Sequence, residues 1–377
     1  MFYNDSNKDI FWFLFLLLLF YKEAGNAFVE NKLRTTKNQH KKIPVKTDRD
    51  FCLPPIRQLA ENLASVIKHR IEINMASSKD NLISEVGADA SSPFRGRRGH
   101  RVSIQGYEGS FHQVAAQLFF GKNVEVITCN TFKEVIKIAS NKKESDGGIM
   151  AIENSIAGSI LPNYNLLQKS NLKIIGEIYL QIRQNLLVNP GVKLEDIREV
   201  HSHTMALQQC YDFLDKYRWK LVETDDTALS AKYIHQHRSK HVAAIASKLA
   251  SELYNLDMVA PNIHTMKNNY TRFLVLQRED AAKPVEDANK ASVNFHTDHS
   301  RGSLAKVLTK ISEGGINLSK LQSFPIPGSD FKYSFHADME FDSPEQFNNV
   351  IETIKPLTAA IKIYGVYKRG GLPKPLR

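Results

Sequence analysis

The chain has 377 residues, 42% hydrophobic and 24% charged, with a formal net charge of +10. That length exceeds one ordinary core and sets an expectation of two or three domains, while the apolar content excludes a disordered chain. About half of the positive excess falls before Arg101, in Lys41, Lys42, Arg95, Arg97, Arg98 and their neighbours, so it reads as a solvated tail and not as a nucleic-acid surface. Cys52, Cys129 and Cys210 lie far apart, and His201 and His203 have no thiol or carboxylate at ligand spacing. A reduced intracellular protein without a metal or cofactor is therefore expected.

Residues 10–21 are almost wholly apolar but fall short of the roughly 20 residues that cross a bilayer. They have the length of a signal-peptide core, yet Asp5 and Asp9 beside a lone Lys8 make a poor positive flank. Secretion, a membrane-surface anchor and a start at Met75 remain open. A cytoplasmic protein is the expectation, with no membrane contact through residues 10–21. Pro54-Pro55 precedes Ile56, Leu59, Leu63, Val66, Ile67 and Ile71, whose spacing predicts one amphipathic helix over residues 56–73. Residues 76–100 read as a linker.

From Arg101 the pattern alternates. Strands are expected at 101–105, 124–127 and 148–152, with helices after Ser110, after Thr131 and near Ser159. The alternation resumes with a strand at Val200, a helix at 205–214, a strand at 219–222, a helix at 228–235, a strand at 242–245 and a helix at 247–254. Such order argues for parallel sheets covered by helices, and the apolar run 172–188 is a natural crossover between two lobes. Gly109-Ser110 opens a helix, either as an ordinary N-cap or with its free amides turned to an anion. Glu153-Asn154-Ser155 follows a strand, and Gly158-Ser159 is expected to open the next helix. Asn268-Asn269-Tyr270-Thr271-Arg272-Phe273 precedes the apolar run Leu274-Val275-Leu276. Alone, that stretch fits a capped loop as well as the wall of a ligand crevice.

Taken together and in order, Ile152-Glu153-Asn154-Ser155 with Gly158-Ser159, Ser202-His203 with Ala206-Leu207 and Cys210, Ala243 to Ser247, and Asn269-Tyr270-Thr271-Arg272-Phe273 resemble prephenate dehydratase over nearly all of residues 101–279. The resemblance implies the α/β, two-lobed fold of type II periplasmic binding proteins, with substrate between the lobes. Lobe 1 would comprise about 101–178 and 271–279, and lobe 2 about 179–270. Two places depart from the commonest family pattern: Thr204 follows the Ser-His pair, and Tyr107-Glu108-Gly109-Ser110 forms the first turn. Nothing in residues 1–100 resembles a fused chorismate mutase helix bundle.

Residues 280–290 read as a linker. Beyond it strands at 292–296, 316–324, 333–341 and 360–367 and helices at 300–312 and 344–354 give the order strand, helix, strand, strand, helix, strand, a ferredoxin-like α+β unit over 291–368 before a tail at 369–377. The unit resembles the ACT domain at Arg301-Gly302-Ser303-Leu304 and at Asn317-Leu318 leading to Leu321-Gln322-Ser323-Phe324-Pro325. The related dehydratases usually read Glu-Ser-Arg-Pro in the last motif, so Gln322 and Phe324 depart from it. By resemblance, phenylalanine would bind at Gly302, Ser303, Leu304, Asn317, Leu318, Gln322 and Ser323, and the chain would form a homodimer or homotetramer. A purely dimerising module is the other reading.

The reaction so implied takes prephenate to phenylpyruvate with loss of carbon dioxide and water. It needs a donor at the leaving hydroxyl and groups that hold two carboxylates. Thr271 is expected as that donor and Arg272 as a carboxylate clamp or a support for the site. Asn154, Ser155, Ser110 and neighbouring amides would complete an anion pocket with His203 and Phe273, and Glu153 would orient Asn154 or close the lobes. Arogenate dehydratase is an alternative on the same fold. A non-catalytic solute-binding or amino-acid-sensing protein is an alternative of another class.

Overall fold

In the computed structural model, residues 99–371 are described apart from 299, 327, 330 and 331. The apolar segment 10–21, the helix expected at 56–73 and most of the linker lie outside the described residues. Among the described residues, the strands fall into three sheets.

The first sheet is lobe 1. Its core strands are β1 (Arg101–Gln105), β2 (Glu125–Cys129), β3 (Gly147–Asn154) and β5 (Leu172–Gln181), with β11 (Tyr270–Arg278) returning from far along the chain. The order is β2-β1-β3-β11-β5, and β11 lies antiparallel between β3 and β5. Helices α1 (Phe111–Phe120) and α2 (Phe132–Ala139) start where the side chains of Ser110 and Thr131 accept from backbone amides three residues on, satisfying donors that the first turn leaves open.

Two expectations are corrected here. Strand β3 runs on through Glu153 and Asn154, and Gly158–Ser159 is a short strand, β4, paired with it. Helix α3 (Leu161–Lys169) follows with Ile160 at its N-cap and no side-chain cap, so Ser159 does not open it.

The chain then crosses into lobe 2. Its strands are β6 (Asn185–Val188), β7 (Glu199–His203), β8 (Lys220–Thr224), β9 (Val242–Ala246) and β10 (Asp257–Ala260), in the order β10-β6-β9-β7-β8. The expected crossover at 172–188 is thus two strands, one in each lobe. The helix expected over 205–214 is broken at Cys210 into α4 (Thr204–Gln209) and α5 (Tyr211–Leu214). Helices α6 (Thr227–Gln236) and α7 (Lys248–Leu253) are capped by Asp226 and Ser247. Strand β10 has no counterpart in the periodicity reading.

The third sheet has β12 (Lys290–His296), β13 (Asn317–Pro325), β14 (Tyr333–Glu340) and β15 (Ala360–Tyr367), in the order β13-β14-β12-β15. Helices α8 (Ser303–Glu313) and α9 (Pro344–Ile354) cover one face, giving the ferredoxin-like βαββαβ topology. The opposite face docks on lobe 1. Phe324, Tyr364 and Tyr367 share one buried cluster with Met150, Ile152, Leu167, Leu274 and Leu276 of lobe 1. The two backbones come close at Gly365, where an added Cβ would overlap the Ile174 carbonyl oxygen. Phe324, a departure from the family motif, is buried here with its ring 5.4 Å from that of Tyr164. No helix among the described residues is long and apolar enough to cross a membrane.

Candidate active site

Pleating assigns faces to the paired strands β3 and β11. Along β11, Phe273 and Val275 pack under α1, while Leu274 and Leu276 face the C-terminal domain. Thr271 therefore shares the α1 face and Arg272 the opposite one. On β3, Met150 faces the C-terminal domain and Ala151 faces α1. Strict alternation would turn Asn154 toward the C-terminal domain. A register shift intervenes: Phe273 pairs with Ala151, but Arg272 pairs with Glu153 and Thr271 with Asn154. The extra residue is Ile152, and this bulge re-aims the strand end so that Asn154 meets Thr271 on one face and Glu153 accompanies Arg272 on the other.

Asn154 and Thr271 are bonded directly. Asn154 Nδ2 donates to Thr271 Oγ1 (3.0 Å), to Asn269 Oδ1 (2.7 Å) and to the Tyr270 carbonyl (3.2 Å). Its Oδ1 accepts from the amides of Ile156 and Ala157, both at 2.9 Å. Asn154 is thus saturated by protein and has no donor left to offer an anion. Because Thr271 Oγ1 accepts there, the hydroxyl hydrogen is left to donate elsewhere.

The amide chain continues across the crossover. Asn269, fully buried, donates from Nδ2 to Gln209 Oε1 (3.0 Å), and Gln184 Nε2 donates to the same oxygen (3.4 Å). Gln209 ends α4 of lobe 2, so a line of amides runs from lobe 2 to the Thr271 hydroxyl. Sequence reasoning missed both Gln209 and Gln184. Their only sequence signal is a glutamine one residue before the break at Cys210 and another in the crossover.

The remaining expected residues sort as follows. Ser155 Oγ donates to the Asn268 carbonyl (3.0 Å) and accepts from the Tyr270 amide (2.9 Å), stitching the end of β3 to that of β11. Ser110 is buried, and its Oγ accepts from the Gln113 amide. Phe273 is buried and meets His112 edge-on, with ring centroids 5.0 Å apart, which brings the first turn of α1 within one pleat of Thr271. His203 caps α4, its Nδ1 accepting from the Met205 amide (3.2 Å). A neutral His203 with that tautomer carries its hydrogen on Nε2. The lobes touch where Ser247 Oγ donates to the Gly109 carbonyl (2.5 Å) and Tyr254 OH donates to the Glu108 carbonyl (2.8 Å).

Arg272 does not reach the crevice. Its Nε donates to Glu177 Oε2 (2.7 Å), its Nη1 to Asp338 and its Nη2 to Tyr367 OH (3.1 Å), and its side chain is 5% exposed. Of the two roles expected for Arg272, the carboxylate clamp is corrected, because its guanidinium is already engaged by Glu177, Asp338 and Tyr367. Lys290 Nζ, also buried, donates to Glu177 Oε1 (3.0 Å) and to Tyr179 OH (3.1 Å). Two cations and two carboxylates thus balance at the boundary with the C-terminal domain. Burial opposes the charge on Asp338, yet Arg272 and His336 hold its carboxyl well below the usual range. Glu153 pairs with Lys320 of β13, whose Nζ lies 2.8 Å from Glu153 Oε1 and 2.8 Å from Ser159 Oγ.

Within the C-terminal domain, Gly302 precedes α8 with φ +78°, and Gly302, Asn317 and Ser323 are exposed. Ser303 and Gln322 are partly exposed, while Leu304 and Leu318 pack against the domain core. Cys129 and Cys210 are buried free thiols, pushed up to about 11 and about 12 chiefly by burial, and offer no thiolate nucleophile near neutral pH.

Comparison with known proteins gives a consistent set of similarities. The prephenate dehydratase family pattern matches residues 102–281. Arogenate dehydratase 2 of Petunia hybrida is 34% identical over 316 residues, 80% of this chain and 80% of that one. The bifunctional chorismate mutase/prephenate dehydratase of Buchnera aphidicola subsp. Acyrthosiphon pisum is 34% identical over 270 residues, 70% of each chain. Among solved structures, prephenate dehydratase from Arthrobacter aurescens in complex with L-Phe superposes with a TM-score of 0.63 at 25% identity, covering 71% of this chain and 90% of that one. GqqA, described as a novel type of quorum quenching acylase, superposes with a TM-score of 0.65 at 26% identity, covering 71% and 98%.

Proposed function

The chain belongs to the prephenate dehydratase family, and from that premise we propose that it converts prephenate to phenylpyruvate in phenylalanine biosynthesis with Thr271 as the donor to the leaving hydroxyl. In that reaction the ring–carboxylate bond breaks to release carbon dioxide, its electron pair aromatises the ring, and the ring hydroxyl departs with its bonding pair as hydroxide, which takes one proton from solvent to become water. The enzyme must help hydroxide leave. A threonine hydroxyl is far too weak an acid to give up its proton outright, so Thr271 acts by a hydrogen bond that strengthens as negative charge builds on the departing oxygen.

The observation that carries this reading is the Asn154 Nδ2 to Thr271 Oγ1 bond of 3.0 Å. A donor on the oxygen polarises the hydroxyl and turns its hydrogen away from Asn154. The same bond weighs against acyl transfer at Thr271. A nucleophilic hydroxyl needs a base beside it, and the Asn154 N–H is a donor. With Arg272, Asn154 and Ser155 engaged by protein groups, and the Gly109, Ser110 and Gln113 amides likewise, the carboxylates fall to the Phe111 and His112 amides of the first turn of α1 and to His203.

The Petunia relative makes arogenate the second substrate to assay. Purified protein offered prephenate and arogenate separately tests the reading: ring-aromatised product from either supports it, and none from both rejects it. Phenylalanine is the proposed effector, acting in an ACT-type C-terminal domain near Gly302, Ser303, Asn317, Gln322 and Ser323, in a homodimer or homotetramer, and the proposed setting is cytoplasmic. Calorimetry that finds no phenylalanine binding rejects the effector.

A further inference from the structure

We propose that the C-terminal domain positions the Asn154–Thr271 pair for the reaction through two ion pairs on the reverse face of the same two strands, Lys320 with Glu153 and Asp338 with Arg272. This rests on the function proposed above. It assigns Lys320 and Asp338, both outside the catalytic lobes, as positioning residues for the dehydration.

The geometry begins with the bulge at Ile152. It makes Glu153 and Arg272 a cross-strand pair and Asn154 and Thr271 the next one. Each member of the working pair is therefore one covalent step from a residue gripped by the C-terminal domain. The grip on β11 is buried and charged: Arg272 donates to Asp338 on β14, while Ser292 and His336 also engage the Asp338 carboxylate. The grip on β3 is Lys320, 11% exposed, 2.8 Å from Glu153. Lys320 also reaches Ser159 of β4, the strand paired with Glu153 and Asn154.

Backbone displacement at residue 153 or 272 moves Asn154 or Thr271 with it. A donor that must meet the leaving oxygen at about 3 Å loses rate steeply with small displacements. Such a loss appears in kcat and spares KM, because the contact strengthens only in the transition state. A general weakening of the domain docking has no such selectivity. Lys362 supplies the contrast: it donates to the Gln168 and Ser170 carbonyls of lobe 1, both at 2.8 Å, across the same boundary but away from the ends of β3 and β11.

The experiment compares Lys320→Met, Asp338→Asn and Lys362→Met in the full chain. The first two are expected to lower kcat at least about tenfold with KM within about twofold, Lys362→Met to leave both near wild type, and Lys320→Arg to restore most of the rate. Equal losses in Lys320→Met and Lys362→Met, or wild-type kcat in a folded Lys320→Met, would overturn the proposal. Hydrogen exchange supplies a readout independent of turnover. The amides of Ile156, Ala157 and Tyr270 are expected to exchange about tenfold faster in Lys320→Met, with those of β7 and β9 unchanged. Should Asp338→Asn fail to fold, Lys320→Met decides. If the wild-type chain turns over neither prephenate nor arogenate, the proposed function fails, and the exchange rates alone sustain or reject the positioning role.

Discussion

Thr271 and Arg272 are consecutive on one strand yet serve opposite sides of one sheet. The Thr271 hydroxyl is bonded to Asn154 at the crevice, and the Arg272 guanidinium is buried against Glu177 and Asp338 at the boundary with the C-terminal domain. A motif that reads as one polar cluster is divided by the pleat into a half turned to the α1 face and a half turned to the C-terminal domain.

Replacing Thr271 by Val keeps the shape and removes the hydroxyl. The expected result is a fall in kcat of about 10²–10³-fold in phenylpyruvate formation, the scale for loss of one transition-state donor. Thr271→Ser keeps the donor and is expected to retain most of the rate. Near-normal turnover in a folded Thr271→Val would remove Thr271 from the chemistry.

Asn154→Ala leaves the Ile156 and Ala157 amides without their acceptor and frees the Thr271 hydroxyl to rotate. Both activity and stability should fall, the latter by about 0.5–1.5 kcal/mol as measured by denaturant unfolding, because water can reach the exposed Ile156 and Ala157 amides. Because Asn154 is saturated by protein, its loss is expected in kcat more than in KM.

Arg272→Met removes one member of the buried four-charge cluster and leaves Asp338, inside the fold, with Ser292 and His336 as its remaining polar partners. A loss of about 3–5 kcal/mol in unfolding free energy is expected, since a buried charge without its partner keeps its desolvation penalty. Unchanged stability would show that the carboxylates find other compensation.

His112 and His264 make stability depend on pH. Burial lowers His112 from 6.5 to about 3, and burial, with Lys267 adding, lowers His264 from 6.5 to about 4. Between pH 6.5 and those values the unfolded chain binds protons that the folded chain does not, so stability falls as pH falls through that window. Thermal unfolding at pH 7.5 and 5 checks the sign. His112→Leu is expected to flatten the slope, and an unaltered slope would clear His112 of the effect.

Gly365→Ala places a Cβ on the Ile174 carbonyl oxygen, where only backbone could yield. The docking of β15 on β5 must then shift, with an expected cost of about 1–3 kcal/mol. Comparison of melting temperatures tests it, and an unshifted melt would mean that the edge is free to move.

Much of the fold was legible because periodicity and capping are local. Ser110, Thr131 and Ser247 sit at the helix starts that their side chains suit, and the C-terminal βαββαβ order follows from alternation and turn residues. The helix expected near Ser159 is present at Leu161–Lys169, but Gly158 and Ser159 do not open it because they pair with β3, a contact that overrides a local opening signal.

By itself the sequence determined the family, most of the order of the elements and a set of candidate side chains, since these rest on residue type and spacing. Which way those side chains point was decided by tertiary structure. The bulge at Ile152 turns Asn154 toward Thr271, and neither spacing nor composition records where one strand slips against its neighbour. Arg272 read as a carboxylate clamp or as a support for the site, and its partners Glu177 and Asp338 lie 95 and 66 residues away. Only the folded chain brings them together, and once there, burial leaves the guanidinium no alternative to pairing with them.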